Sequence, residues 1–92
     1  MIRTFKCHDT QTLFAGRRVL RFVNIAAVAM RKLQQLHAAA TLDFLRVPPG
    51  NRLEALQGNR QGGYSIRVNE QWRICFRFQG GDVFDVEIVD YH

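Results

Sequence analysis

Two rhythms of apolar and polar residues divide this chain, a helical one before Pro48 and a strand-like one after Gly50. In the first half Ile25, Val28, Ala29, Leu33, Leu36 and Ala40 fall on one face at helical spacing, with Arg31, Gln34 and Gln35 off it. Asn24 is placed to cap this helix, and His37 sits at the edge of its apolar face as a boundary residue. Upstream, Asp9 and Thr10 suit the N-cap of a short helix over residues 10–15 that Gly16 stops. Residues 2–6 predict a brief initial strand. Arg17, Arg18 and Arg21 lie in an aperiodic basic stretch that reads as a mobile connector. The helical pattern fades over residues 41–46, and Val47-Pro48-Pro49-Gly50 ends it.

From there the period is two. Tyr64, Ile66 and Val68 alternate with Ser65 and Arg67; Trp72, Ile74, Phe76 and Phe78 alternate with Arg73, Cys75 and Arg77. Phe84, Val86 and Ile88 alternate with Asp85, Glu87 and Val89. These are three half-buried antiparallel strands, joined at residues 69–71 and 79–82. Residues 51–56 predict a further extended piece with Leu53 and Leu56 packing inward, followed by a flexible, basic, glycine-bearing loop over residues 57–63. The pattern predicts an α+β fold, with two N-terminal helices packed on one face of a mainly antiparallel sheet.

Strand phase fixes register, because a slip of one residue exchanges the two faces. Setting Ile66 beside Ile74 places Arg67 beside Arg73 on the face away from the helices, with Tyr91 close to Arg73. Setting Phe78 opposite Phe84 places Arg77 across from Asp85, a structural ion pair, and Arg73 across from Val89. Arg67 and Arg73 then have no carboxylate directly opposite and are open to phosphate.

Charge sharpens this picture. The 92 residues carry 13 Lys and Arg against 8 Asp and Glu, a formal charge of +5, and lysine appears only at Lys6 and Lys32. Arginine's planar fork suits phosphate and base recognition, so the balance points to nucleic acid or the ribosome. The bland alternatives are a merely basic protein or one that meets an acidic partner. Cys7 and Cys75 are too few for a disulfide scaffold and lack metal-ligand spacing, so no metal and no cofactor is expected. The opening residues lack an apolar signal core and no stretch approaches membrane-spanning length, so a soluble cytosolic protein is expected.

The last three residues, Asp90-Tyr91-His92, put a carboxylate, a phenol and an imidazole at the end of the last strand. A terminal trio of this kind is often a frayed polar tail. Beside the arginine-bearing face it has the makings of an RNA-cleaving site.

The run from Pro49 through Asn51-Arg52-Leu53-Glu54 to Arg60 carries a resemblance, together with Tyr64-Ser65-Ile66-Arg67-Val68-Asn69, Gln71-Trp72-Arg73-Ile74-Cys75-Phe76 and the ending Val86 to His92. These motifs resemble the HigB-type toxins of the RelE/ParE toxin superfamily, and the likeness extends over essentially the whole chain as one domain, residues 1–92. The resemblance implies a toxin of a type II toxin–antitoxin system that cuts mRNA in the ribosomal A site. It implies a HigA-type helix-turn-helix antitoxin as partner, with operator DNA reached mainly through that antitoxin. For the chemistry it implies His92 as the leading proton-transfer group, since imidazole titrates near neutrality. Asp90 would orient that imidazole or hold a neighbouring base in place, Tyr91 would stack on a nucleobase or donate a hydrogen bond, and Arg73 would clamp phosphate. Arg67, Arg60 and Arg52 would bind RNA. Some related toxins carry histidine where this chain has Glu54 and lysine where it has Gln57, so the acid–base division between Glu54 and His92 stays open. Two alternatives also stay open: a non-cleaving ribosome- or RNA-binding inhibitor, and a ParE-like gyrase poison, which would not need the terminal histidine.

Overall fold

Helix α1 spans His8–Phe14 and helix α2 spans Ala26–Ala38, and both pack against a four-stranded antiparallel sheet in the order β1-β2-β3-β4. The strands are β1 (Glu54–Ala55), β2 (Gly63–Arg67), β3 (Trp72–Gln79) and β4 (Asp82–Asp90). This computed structural model describes residues 1–91, and for Arg60 the backbone alone. The α+β arrangement is the one the two rhythms predict. No helix among the described residues is long and apolar enough to cross a membrane.

The predicted face of α2 is the buried one: Ile25, Ala29, Leu33 and Leu36 close over the sheet, with Val28 half-buried. Ala39 replaces Ala40 at its end, because the chain turns extended there (ψ 120°) and swings Ala39 inward. The predicted caps are corrected. Cys7 and Ile25 occupy the N-cap positions, without side-chain cap bonds, and neither Asn24 nor Asp9 fills that role. Thr10 is instead fully buried, and its Oγ1 accepts the Ile88 amide at 3.0 Å, tying α1 to β4. Gly16 stops α1 with φ 88°, a conformation glycine adopts without strain.

The connector expected to be mobile is pinned. Val19 and Phe22 fall three residues apart within the basic run, and a 3-10 turn over Leu20–Phe22 buries both. The Phe22 ring is fully buried and meets Trp72 edge-on at 5.5 Å. Truncating such a ring costs about 3–5 kcal/mol, enough to hold the segment. Arg21 adds a bond to Asp9 Oδ2 at 2.9 Å. Residues 2–6 do not form a regular strand, but Ile2 and Phe5 make isolated parallel bridges to Val83 and Val86.

The strand register is half as predicted. Ile66 faces Ile74, Arg67 faces Arg73, and Arg73 faces Val89. Nearer the turn the pairing shifts by one, so Phe78 meets Val83 and Arg77 meets Phe84. The cause is a two-residue turn of Gly80 and Gly81 (φ 59° and 82°), which fits the twist of a hairpin. A β-bulge at Asp85 (φ 54°) then restores the phase, and Thr4 Oγ1 accepts the Asp85 amide at 2.8 Å. Val83 rather than Phe84 therefore enters the core. Arg77 does not face Asp85; it is exposed, and among the described residues it pairs with no carboxylate.

Between α2 and β1 the chain makes 3-10 turns at Asp43–Arg46 and Pro49–Asn51. Asn51 is fully buried and anchors this stretch. Its Nδ2 donates to Gln35 Oε1 at 3.0 Å and to the Leu45 carbonyl at 3.1 Å, and its Oδ1 accepts Lys32 Nζ. Burial lowers the pKa of Lys32, and neighbouring Arg31 acts the same way. Asn51 thus ties α2 to the segment that carries Arg52 and Glu54. Leu53 packs half-buried against the core as expected, but Leu56 does not turn inward: it shares the side of β1 that carries Glu54 and lies with Lys6, Cys75 and Arg77 on the sheet's outer face.

Candidate active site

Alternation along the strands decides which side chains meet on the sheet's outer face. Glu54 on β1 lies opposite Ser65 on β2, while Arg67 lies opposite Arg73 and Arg73 opposite Val89. Tyr91, two residues past Val89, returns to that same side. An open cleft of about 240 Å³ forms there, lined by Arg52, Glu54, Arg67, Asn69, Glu70, Arg73 and Tyr91. Three arginines and two glutamates share this small space.

Arg73 is the organising residue, and it is not open in the way its register suggested. Only 8% of it is exposed. Its Nε donates to Ser65 Oγ at 2.8 Å, and its Nη2 donates to the carbonyls of Arg52 at 2.6 Å and Ser65 at 3.3 Å. Its Nη1 lies 3.6 Å from Glu54 Oε1, so the expectation that it lacks a carboxylate partner is corrected. That carboxylate comes from the edge strand β1, a neighbour that pairing β2 with β3 and β4 does not reveal. The Tyr91 ring sits 5.8 Å from the guanidinium carbon, within cation–π range.

The other groups differ in availability. Arg52 takes the left-handed conformation (φ 45°, ψ 58°), which aims its carbonyl at Arg73 while its side chain stays exposed. Arg67 is half-buried and donates Nε to the Asn69 carbonyl at 3.1 Å. Its Nη atoms have no protein partner among the described residues and border the cleft. The Glu54 side chain is 62% exposed, so its carboxylate can meet a ligand. Tyr91 is 43% exposed, and its backbone N–H donates a hydrogen bond to the Gln71 carbonyl at 2.5 Å. The arrangement offers a phosphate two cationic edges, a carboxylate beside them and an aromatic ring at the rim.

Of the residues expected at the site, Arg52, Glu54, Arg67, Arg73 and Tyr91 are brought together. Asp90 is not: it pairs with Trp72 on the other side of the strand and accepts Gln71 Nε2 at 3.1 Å. His92 lies outside the described residues, as does the side chain of Arg60, whose backbone forms the 3-10 turn Gly58–Arg60. Ser65, Asn69 and Glu70 were not anticipated. Asn69 had a readable signal, since asparagine in a tight turn bonds the backbone ahead of it. Its Oδ1 accepts the amides of Gln71 and Trp72, each at 2.8 Å, and shapes the turn at one end of the cleft. Among the described residues no three His, Cys, Asp or Glu side chains gather to hold a metal ion.

Comparison with known proteins adds sequence relatives and fold neighbours. A family model described as the RelE-like toxin of type II toxin–antitoxin system HigB matches residues 14–92. Toxin HigB-1 of Vibrio cholerae serotype O1 is 48% identical over 58 residues, covering 63% of this chain and 61% of that protein. Endoribonuclease HigB of Proteus vulgaris is 44% identical over 41 residues, covering 45% of each. The match therefore spans about three-fifths of the Vibrio protein's length and under half of the Proteus protein's. Among solved structures, YafQ from E. coli strain BL21(DE3) superposes with a TM-score of 0.60 at 14% identity, covering 98% of this chain and 91% of that one. The YoeB–YefM complex from Staphylococcus aureus matches with a TM-score of 0.58 at 15% identity, covering 100% of this chain and 98% of its counterpart. Both likenesses support the fold.

Proposed function

This chain belongs to the HigB family of RelE-like toxins from type II toxin–antitoxin systems, and on that footing we propose that it is an endoribonuclease that cuts mRNA on the ribosome. The observation that carries the reading is the outer-face cleft, where Arg67 and Arg52 border a carboxylate and an exposed aromatic ring around a buried arginine. The name of the Proteus relative, an endoribonuclease, is consistent with it.

In this mechanism Arg67 and Arg52 neutralise the scissile phosphate, and the Nη1 edge of Arg73 meets the charge that grows on its oxygens. Glu54 takes the proton from the ribose 2′-OH, whose oxygen attacks phosphorus. As the bond from phosphorus to the 5′-oxygen breaks, that oxygen takes a proton from the His92 imidazolium, leaving neutral imidazole. The products are a 2′,3′-cyclic phosphate and a 5′-OH end. Tyr91 stacks on a neighbouring base. Asp90, bonded by Gln71, anchors the strand end just before Tyr91. The partner is a protein antitoxin of the HigA type, through which operator DNA is reached.

The test maps 5′ ends of a defined mRNA in a bacterial translation extract, for wild type, His92→Ala, Glu54→Gln and Arg67→Ala, with naked mRNA as control. Cuts should require translation and fall by about 10²-fold or more in the His92 and Glu54 variants. Translation arrest with intact mRNA would refute the nuclease reading, and undiminished cutting by His92→Ala would remove that residue from the mechanism.

A further inference from the structure

A second hollow, of about 100 Å³, opens on the outer face of the sheet beside the arginine cleft. Strand alternation explains its place. Arg73, Cys75 and Arg77 are successive outward positions of β3, so Cys75 follows Arg73 by roughly 7 Å. The floor is apolar: Cys75, only 3% exposed, the half-buried Leu56, and Gly63, which adds no side chain. The flanks carry opposite charge. On the β2 side the Arg77 guanidinium lies close over Gly62, where a Cβ would stand 3.2 Å from Nη2, 3.4 Å from Nη1 and 3.6 Å from Cζ. Those similar distances set the planar group against the glycine, whose missing side chain makes room for it. On the β4 side stand Asp85 and Glu87; the Glu87 side chain is 16% exposed, with Oε1 3.7 Å from Lys6 Nζ. The chemical steps proposed above use none of these residues.

We propose that this hollow receives a guanine base of the mRNA, from a nucleotide flanking the cut, an inference that rests on the nuclease reading above. An RNA strand gripped at Arg67 and Arg73 reaches it by running along β3. The two carboxylates repel a phosphate, and a helix, about 10 Å across, is too wide to enter. A flat ring fits, resting on Leu56 and Cys75. The choice among bases follows from the flanks. β2 and β4 are two strand spacings apart, about 10 Å, so the guanidinium and the carboxylates meet opposite edges of whatever lies between them. Two hydrogen bonds of about 2.9 Å each leave the width of one ring system. Guanine presents the acceptors O6 and N7 on one edge and turns the donors N1–H and the N2 amino group away from it. The arginine fork on O6 and N7 is the commonest specific contact to this base. Cytosine carries its donor and acceptors on a single edge, and adenine sets a donor beside N7.

The test maps 5′ ends in the translation extract on mRNAs with randomised codons, for wild type, Arg77→Ala and Arg77→Lys. Arg77 is exposed, so both variants should melt as wild type does. Wild type should favour guanine at one fixed position beside the cut by about 10-fold, the discrimination a bidentate arginine gives. Both variants should lose that preference and cut sites with another base there at the wild-type rate, since lysine keeps the charge but not the fork. A single 7-deazaguanosine at that position, which lacks the N7 acceptor, should slow wild type severalfold and leave Arg77→Ala unchanged. A guanine preference equal in all three proteins, or none in wild type, would overturn the subsite and leave the nuclease reading intact. Slower cutting of every sequence by Arg77→Ala, restored in Arg77→Lys, would also overturn it and make Arg77 a contact to the RNA backbone. Failure of wild type to cut at all would overturn both readings.

Discussion

Arg73→Ala should damage the scaffold as well as the chemistry, and the size of that damage follows from its contacts. The guanidinium is 8% exposed and makes three donor bonds, to Ser65 Oγ and to the carbonyls of Arg52 and Ser65. Bonds from a charged donor are worth about 1.5–3 kcal/mol each when broken on one side. Removing the residue also relieves the cost of burying its charge, which offsets part of the loss. A net destabilisation of about 2–3 kcal/mol is expected. For a chain of this size each kcal/mol lowers Tm by about 4–8 °C, so Tm should fall by roughly 10–20 °C. Arg67→Ala removes one bond from the cleft's rim and should stay within about 1 kcal/mol of wild type. Thermal and urea unfolding of both variants measures this, with cleavage assayed well below the lower Tm. Adding Ser65→Ala to Arg73→Ala should cost little more, because the shared bond is already gone. An Arg73→Ala variant melting within about 2 °C of wild type would refute the reasoning and return Arg73 to the role of an open phosphate clamp.

Three further outcomes are expected. Asn51→Ala strands the buried Leu45 carbonyl and the Lys32 ammonium, and should cost about 3 kcal/mol in urea unfolding; a loss below about 1 kcal/mol would show that the anchor is dispensable. Asp85→Val should cost about 2 kcal/mol because a β-branched residue is strained at φ 54°, whereas Asp85→Gly should stay close to wild type; equal losses would argue against the bulge. Burial raises the pKa of the Cys7 thiol, but bonds from the Thr10 hydroxyl and the amides of Thr10 and Asp9, together with the Arg21 guanidinium, outweigh it and lower the value. The stability this gives is present above the ordinary thiol pKa and lost as pH falls through the lowered one. Iodoacetamide labelling of Cys7 should accordingly reach half its maximal rate below the pH of an ordinary cysteine, and move up in Arg21→Ala; a midpoint at or above the ordinary value would contradict the contacts.

Periodicity made the large elements legible. The apolar face of α2 and the pairing of Ile66 with Ile74 follow from burial, which is written directly in residue type. What escaped the pattern is polar and local. Whether Asn24 or Ile25 begins α2 depends on a backbone angle rather than on capping preference. The bulge at Asp85 depends on a glycine pair that prefers a two-residue turn, and this moved Phe84 and Arg77 away from their expected neighbours. The connector looked mobile because its arginines mask two buried apolar side chains, Val19 and Phe22.

The site shows the same division. Strand alternation placed Arg67, Arg73 and Tyr91 on one face without any coordinates, yet it could not say which arginine is spent on the protein itself. Deciding that required β1, whose two residues pair too briefly to leave a period, and the left-handed turn at Arg52 that points a carbonyl at Arg73. A buried arginine with three protein acceptors reaches a phosphate through one edge, whereas Arg67 lines the cleft and, among the described residues, donates only its Nε, to the Asn69 carbonyl. Loss of activity in Arg73→Ala therefore cannot by itself assign phosphate binding, because a displaced Glu54 or a slackened β1 gives the same result. Loss in Arg67→Ala, at unchanged stability, can.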